Sequence, residues 1–278
     1  MLTDTQKIEL VRAYQSGDSA YALSNKFGIT PTAIYGLLKR RDIARRDRSH
    51  ARREYDVDDQ FFDEINTQEK AYFLGFLFAD GYNLETRNAV SISLAEPDRR
   101  ILEEMNALVQ PDKPLQYVKY KGKRQNQYRL TMQNKRISRR LSELGCHQRK
   151  SYDLSFPVCV SESLMPHFVR GYFDGDGSII LPRRRSNVSV SFVGSVTFIS
   201  GLRSYLADKC HLSMVKMASR FESEPRVVQI AYCGVNNVIR LRDMMYKDAR
   251  ILLRRKFEKF QTISRKMNIC RIGEKHEC

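Results

Sequence analysis

The chain has 278 residues, 48 of them Lys or Arg and 32 Asp or Glu, for a formal net charge of +16, and it is 42% hydrophobic; this supports a real core and implies a polyanionic partner, either nucleic acid or an acidic surface. No stretch approaches the ~18 uninterrupted apolar residues of a membrane span, and the start Met-Leu-Thr-Asp-Thr-Gln-Lys has no signal-peptide core, so a soluble, intracellular protein without a membrane partner is expected. The six cysteines form no Cys-x-x-Cys pair, which supports neither zinc nor a disulfide framework and leaves only Cys270, His276 and Cys278 at the tail as a slight metal hint.

Residues 4 to 16 carry Ile8, Leu10, Val11 and Tyr14 at helical spacing, and Ser16-Gly17-Asp18-Ser19 forms a turn that caps a second helix over about 19 to 26. Phe27-Gly28-Ile29 is a tight corner, and Thr30 with Pro31 starts a third helix over 31 to 40. The string from Ala22 through Phe27-Gly28-Ile29-Thr30-Pro31-Thr32-Ala33-Ile34-Tyr35 resembles the DNA-binding modules of Hin-type recombinases. That resemblance implies a helix-turn-helix domain over 1–42, its third helix in a major groove, with Thr30, Thr32, Ala33, Tyr35 and Gly36 facing base or phosphate. A three-helix packing domain with no DNA role has the same pattern.

Lys39, Arg40, Arg41, Arg45, Arg46, Arg48, Arg52 and Arg53 then fall within fifteen residues. Such a run is either a solvated linker or an arm tracking phosphates. The charge reverses through Asp56, Asp58, Asp59, Asp63 and Glu64, which places a basic then acidic linker over 43–60, with the domain boundary near 56.

Two later segments repeat one pattern: Phe-Leu-Gly-Phe-Leu-Phe-Ala-Asp-Gly over 73 to 81 and Val-Arg-Gly-Tyr-Phe-Asp-Gly-Asp-Gly over 169 to 177. Gly75 and Ala79, like Gly171 and Gly175, lie four apart on one helical face, so two such helices can approach closely and pack on each other. Gly81 and Gly177 are expected as left-handed caps, which puts Asp80 and Asp176 in the last turns. A carboxylate there opposes the helix macrodipole at a cost of roughly 0.3–1 kcal/mol, which a divalent cation offsets. Side by side, the two acids, with the carbonyls of Ala79 and Gly175, form an oxygen-rich site suited to Mg²⁺, in which Mn²⁺ or Ca²⁺ can substitute.

These segments, with Glu69-Lys70-Ala71-Tyr72 leading into the first and Phe156-Pro157 and His167-Phe168 leading into the second, resemble the paired motifs of the LAGLIDADG homing endonucleases in their single-chain form. The likeness spans about residues 61 to 265. Asp176 follows Asp80 by 96 residues, room for one αββαββ unit. The first copy departs from the family pattern at Phe78, where the second keeps Asp174. The resemblance implies an α+β fold: a pseudo-twofold pair of αββαββα repeats, over 61–160 and 161–278, forming an antiparallel β saddle behind a small all-α helix-turn-helix domain. It also implies a monomeric, metal-dependent, site-specific endodeoxyribonuclease that hydrolyses phosphodiesters of double-stranded DNA to leave 3′ overhangs. Asp80 and Asp176 would be catalytic, with Lys150 and Lys256 as candidates for the charge-stabilising lysines. An ordinary surface or phosphate-facing role stays open for both lysines.

Within the repeats, Val90, Ile92 and Leu94 alternate with small or polar residues, as do Val188, Val190 and Phe192, the period of half-buried strands. Further strands are expected over 115 to 121, 126 to 133, 214 to 221 and 226 to 233. Their polar positions Lys119, Lys121, Arg124, Gln127 and Arg129, then Lys216, Arg220 and Gln229, suit major-groove reading, and Arg183, Arg184 and Arg185 fit a hairpin tip. Two other readings remain: a DNA-binding transcription regulator on the same scaffold, and an intron RNA maturase. Either way, the chain is expected with the genome it serves, cytoplasmic and nucleoid-associated or in the equivalent compartment of its host.

Overall fold

A computed structural model describes residues 2–44, 55–122, 124–181, 188–219 and 226–273, without the side chains of 151 and 264–273. The chain divides into two units, Met1–Asp56 and Val57–Cys278. In the first, α1 (Asp4–Gln15) starts with a capping box, Thr3 N–H donating to Gln6 Oε1 at 2.9 Å and Gln6 N–H to Thr3 Oγ1 at 3.3 Å. Ser19 caps α2 (Ala20–Phe27), which Gly28 ends at φ 63°, and Thr30 with Pro31 starts α3 (Pro31–Arg40). The three helices bury Leu10, Val11, Tyr14, Leu23, Ile34 and Leu38 against one another.

The second unit repeats one order of elements. Its first half runs α4 (Gln68–Asp80), β1 (Tyr82–Leu84), β2 (Ala89–Ala95), α5 (Arg99–Val109), β3 (Gln116–Val118), β4 (Gln127–Gln133) and α6 (Lys135–Glu143). Its second runs α7 (Met165–Asp176), β5 (Ser178–Ile180), β6 (Ser189–Ser195), α8 (Val196–Cys210), β7 (Ala218–Ser219), β8 (Val227–Cys233) and α9 (Val235–Tyr246), followed by α10 (Arg254–Gly273). The fold is therefore mixed α+β, with ten helices among the described residues. Each half has a four-stranded antiparallel sheet, ordered β1-β2-β4-β3 and β5-β6-β8-β7.

Alternation sets the sheet faces. Val90, Ile92, Leu130 and Met132 point into the core of the first sheet, and Val190, Phe192, Ile230 and Tyr232 into that of the second. Helix α4 is buried continuously from Ala71 to Phe78 and α7 from Phe168 to Asp174, so these are central helices with no solvent face over those turns.

Two local expectations change. Gly81 (φ −74°, ψ 145°) and Gly177 (φ −72°, ψ 156°) are extended, not left-handed, because the chain passes straight from each helix into a strand. Glycine is needed there for closeness: a Cβ on Gly81 would press on the backbone of Leu77, and one on Gly177 on the carbonyl and ring of Phe173. Strand β3 spans only Gln116–Val118 and, among the described residues, β7 only Ala218–Ser219, so Lys119 and Lys121 lie beyond β3 in the connection to β4, and Lys216 lies ahead of β7.

Candidate active site at the paired helix ends

Small residues decide where α4 and α7 touch. A Cβ on Gly75 would overlap the carbonyl of Phe168, and one on Gly171 the carbonyl of Tyr72. These two contacts exchange under the 96-residue offset, so the helices run in the same direction about a local two-fold. Further along, a Cβ on Gly175 would overlap that of Ala79 and lie 3.3 Å from Asp80 Oδ2. Asp80 and Asp176 are the last residues of their helices, and both are exposed at this common end.

The electrostatics place the two acids in one neighbourhood. Burial raises the pKa of Asp80, against the pull of Lys256, Lys150 and Arg255, because the carboxyl keeps an open edge but stands in a dense ring of protein. The buried Tyr172 hydroxyl is pushed well above its usual range, first by burial and then by Asp176 and Asp80 together.

Lys150 and Lys256 occupy matching places. Lys150, buried after α6, donates from Nζ to the Gly81 carbonyl at 2.5 Å. Lys256, buried in the first turn of α10, donates to the carbonyls of Phe173 (2.6 Å), Gly175 (3.0 Å) and Gly177 (2.6 Å). Each ammonium thus meets carbonyls at a helix C-terminus, where positive charge is favoured. Burial brings the Lys256 ammonium down to about 8, opposed by Asp174, Asp80 and Asp176. The Gly175 carbonyl expected to face a cation therefore already accepts a bond from Lys256.

A second cluster supports this end of the molecule. Asp174 is buried and takes Tyr72 Oη–H and Leu253 N–H on Oδ2, each at 2.8 Å, and Tyr246 Oη–H on Oδ1 at 2.7 Å. Three donors converging on two oxygens suit an ionised carboxylate; burial raises its pKa, and the bonds from Leu253, Tyr246 and Tyr72 pull it back. Arg170, one turn earlier and buried, donates to the carbonyls of Met245 (2.7 Å) and Ile251 (3.0 Å). Its Nη1 also lies 2.7 Å from His167 Nδ1. Arg255 bonds both oxygens of Asp98 at 2.9 Å, tying α10 to the first half beside Asp80. Sequence reasoning passed over Tyr72, Arg170, Tyr246 and Arg255. One signal was available: an arginine at 170 inside an apolar helix, where the other copy has Leu74.

Of the other candidates, Gln127 and Arg129 share the outer face of the first sheet with Ser93 and Gln116, and Arg129 donates to Ser93 Oγ at 2.9 Å. Arg124 stacks over Tyr120 at 3.9 Å, and Tyr120 Oη–H donates to Gln127. Lys119, Lys121 and Lys216 are exposed, and Gln229 lies on the outer face of the second sheet opposite Val193. In the N-terminal unit Thr32, Arg40 and Arg41 are exposed, whereas Tyr35 packs partly against the small core. Arg45, Arg46, Arg183, Arg184, Arg185 and Arg220 lie outside the described residues, as do Arg48, Arg52, Arg53 and the side chains of Cys270, His276 and Cys278.

Among the described residues no three His, Cys, Asp or Glu side chains cluster as a metal cage. Two carboxylates at the common end of α4 and α7 are nevertheless a fitting donor set for Mg²⁺, which is commonly held by one or two carboxylates plus waters and substrate phosphate.

No family profile and no curated protein matches the chain in sequence. Among solved structures, it is similar to the meganuclease I-SmaMI bound to uncleaveable DNA with a TTGT central four (13% identity, TM-score 0.47, covering 73% of this chain and 90% of that one). It is also similar to the I-SmaMI LAGLIDADG homing endonuclease bound to cleaved DNA (12%, 0.46, 76% and 92%). A third is the I-LtrWI LAGLIDADG homing endonuclease bound to target DNA (10%, 0.44, 77% and 92%). At identities and scores this low, the similarity assigns no residue and no activity to this chain.

Proposed function

We propose that the chain is a LAGLIDADG-type homing endonuclease: one polypeptide with two half-sites that hydrolyses both strands of a specific DNA duplex. The observation that carries this reading is the meeting of α4 and α7 through glycine, which brings the acids ending both helices to one place. The +16 charge and the basic and amide side chains on the outer face of the first sheet support a DNA partner.

Hydrolysis requires water to attack phosphorus in line as the bond to the 3′ oxygen breaks, leaving a 5′ phosphate and a 3′ hydroxyl. Asp80 and Asp176 would hold the divalent cation, Mg²⁺ with Mn²⁺ or Ca²⁺ as substitutes, which when bound supplies an activated water and offsets charge on the leaving oxygen. Lys150 and Lys256 keep positive charge beside the two acids. Each half serves one strand, and in the manner of the family the staggered cuts leave 3′ overhangs. The N-terminal unit adds a second grip as a helix-turn-helix, with Thr32, Arg40 and Arg41 of its third helix and the turn after it facing the duplex. The protein acts as a monomer, with its genome.

The test is to incubate the protein with Mg²⁺ and a library of long duplexes and to sequence the ends. Wild type yields defined double-strand cuts; Asp80→Asn and Asp176→Asn abolish them while the affinity for DNA stays within about threefold, since neither removes a basic contact. Cutting retained by these variants would refute the assignment. Specific binding by a wild type that cuts nothing would favour the regulator reading, for which the N-terminal unit is the supporting feature.

A further inference from the structure

We propose that Asp174 is a positioning residue for one half-site only: through the backbone of Leu253 it fixes the start of α10, and so keeps Lys256 against the end of α7. This rests on the endonuclease reading and deepens it. Asp174 Oδ2 accepts from Leu253 N–H at 2.8 Å, and the carbonyl of Leu253 accepts from the amides of Lys256 (3.0 Å) and Phe257 (3.2 Å), which form the first turn of α10. The carboxylate therefore sits at the positive end of that helix, where it is stabilising. In the other direction, Lys256 Nζ reaches back to three carbonyls on either side of Asp174 and Asp176. Helices α7 and α10 thus hold each other, residue 174 gripping the start of one and residue 256 gripping the end of the other. With three acceptors for its three N–H donors, the Lys256 ammonium has a single position.

Among the described residues the first half has no such clasp. Phe78 stands where Asp174 stands, its ring packed edge-on against Phe168 at 5.1 Å between centroids, and Lys150 holds the single carbonyl of Gly81. A change at Asp174 therefore reaches Lys256 and not Lys150; the Lys256 charge is felt by Asp80 as well as Asp176, but its Nζ is fixed on the end of α7, so the cut served by that end slows most, whereas a general loss of stability weakens both cuts together.

Strand-labelled duplex carrying the recovered target, in single-turnover conditions with the full chain, reads this directly. Asp174→Leu keeps the approximate shape and removes the acceptors; it should slow one strand by about tenfold or more, leaving the other strand and the Kd for DNA within about twofold, the size expected when a reacting group is misplaced. Asp174→Asn keeps an acceptor for Leu253 N–H and should restore the slowed strand to within about threefold of wild type. In a Lys256→Met background, Asp174→Leu should add less than about twofold, because it acts through the missing side chain. If Asp174→Leu does not fold, Tyr246→Phe, which removes one donor that fixes the carboxylate, should slow the same strand by about threefold. Equal slowing of both strands, or full additivity with Lys256→Met, overturns the proposal. A wild type that cuts no duplex instead overturns the endonuclease reading on which it rests, and the proposal falls with it.

Discussion

The two halves of the second unit agree where they touch and differ in what holds each lysine. At the contact, Gly75 faces the carbonyl of Phe168 and Gly171 that of Tyr72, one arrangement used twice. Behind it, the first half uses Asn83 of β1, buried, donating to the carbonyls of Ser138 (2.9 Å) and Cys146 (3.0 Å) and accepting from Ser138 Oγ–H at 2.7 Å. That bond set anchors the turn leading from α6 to Lys150. In the second half the matching position is Ile179, an apolar core residue, and the polar anchor has moved onto α7 as Arg170 and Asp174. Backbone groups in a buried turn need partners. A duplicated fold can supply them from different elements, whereas close approach of two helix backbones needs small residues at the contact.

The largest expected effect breaks the shared feature. Gly75→Val and Gly171→Val each drive a side chain into a backbone carbonyl that cannot rotate away, so neither should yield a folded second unit by circular dichroism and soluble yield; normal folding of either would show that the contacts are not equivalent. Next, Phe78→Asp copies the second half's acid into a place without its donors, and should cost about 4–5 kcal/mol in denaturant unfolding through lost aromatic packing and an unpaired buried carboxyl. Asn83→Leu, which makes the first half more like the second, should cost about 2–3 kcal/mol because carbonyls in the Cys146 turn lose their donor.

The smallest effect concerns His167, whose counterpart in the first half is Ala71. Burial, and then Arg170, lower its pKa from 6.5 to about 4, so that it stays neutral beside the guanidinium. The unfolded chain binds the proton first, and the stability present above pH 6.5 is lost as pH falls towards 4. His167→Gln should flatten that stretch of the stability curve by about 1 kcal/mol, roughly 2–4 °C in Tm, after discounting for a half-exposed ring. An unchanged acid slope would remove His167 from the account.

Much of this architecture is written in short windows of sequence. Thr30-Pro31 starts α3, Val90, Ile92 and Val190, Phe192 alternate into their cores, and the glycines five residues before each final aspartate mark the touching faces. Spacings of two and of three to four residues are local, so a sequence can state them directly. The left-handed caps expected at Gly81 and Gly177 show where that locality ends: an Asp-Gly pair looks like a turn until the strand that follows requires an extended backbone.

By itself, then, the sequence determined the duplication and the acids that end the two central helices, and the resemblance of its motifs implied the element order αββαββα in each half. Only the tertiary structure decided that Lys256 spends its donors on the carbonyls of α7, that Arg255 crosses to Asp98, and that Asp174 is held by Tyr72, Tyr246 and Leu253. The reason is physical: these partners come from distant segments of the chain, and what joins them is the need of each buried polar group for a hydrogen bond, a demand answered by packing and not by any local pattern.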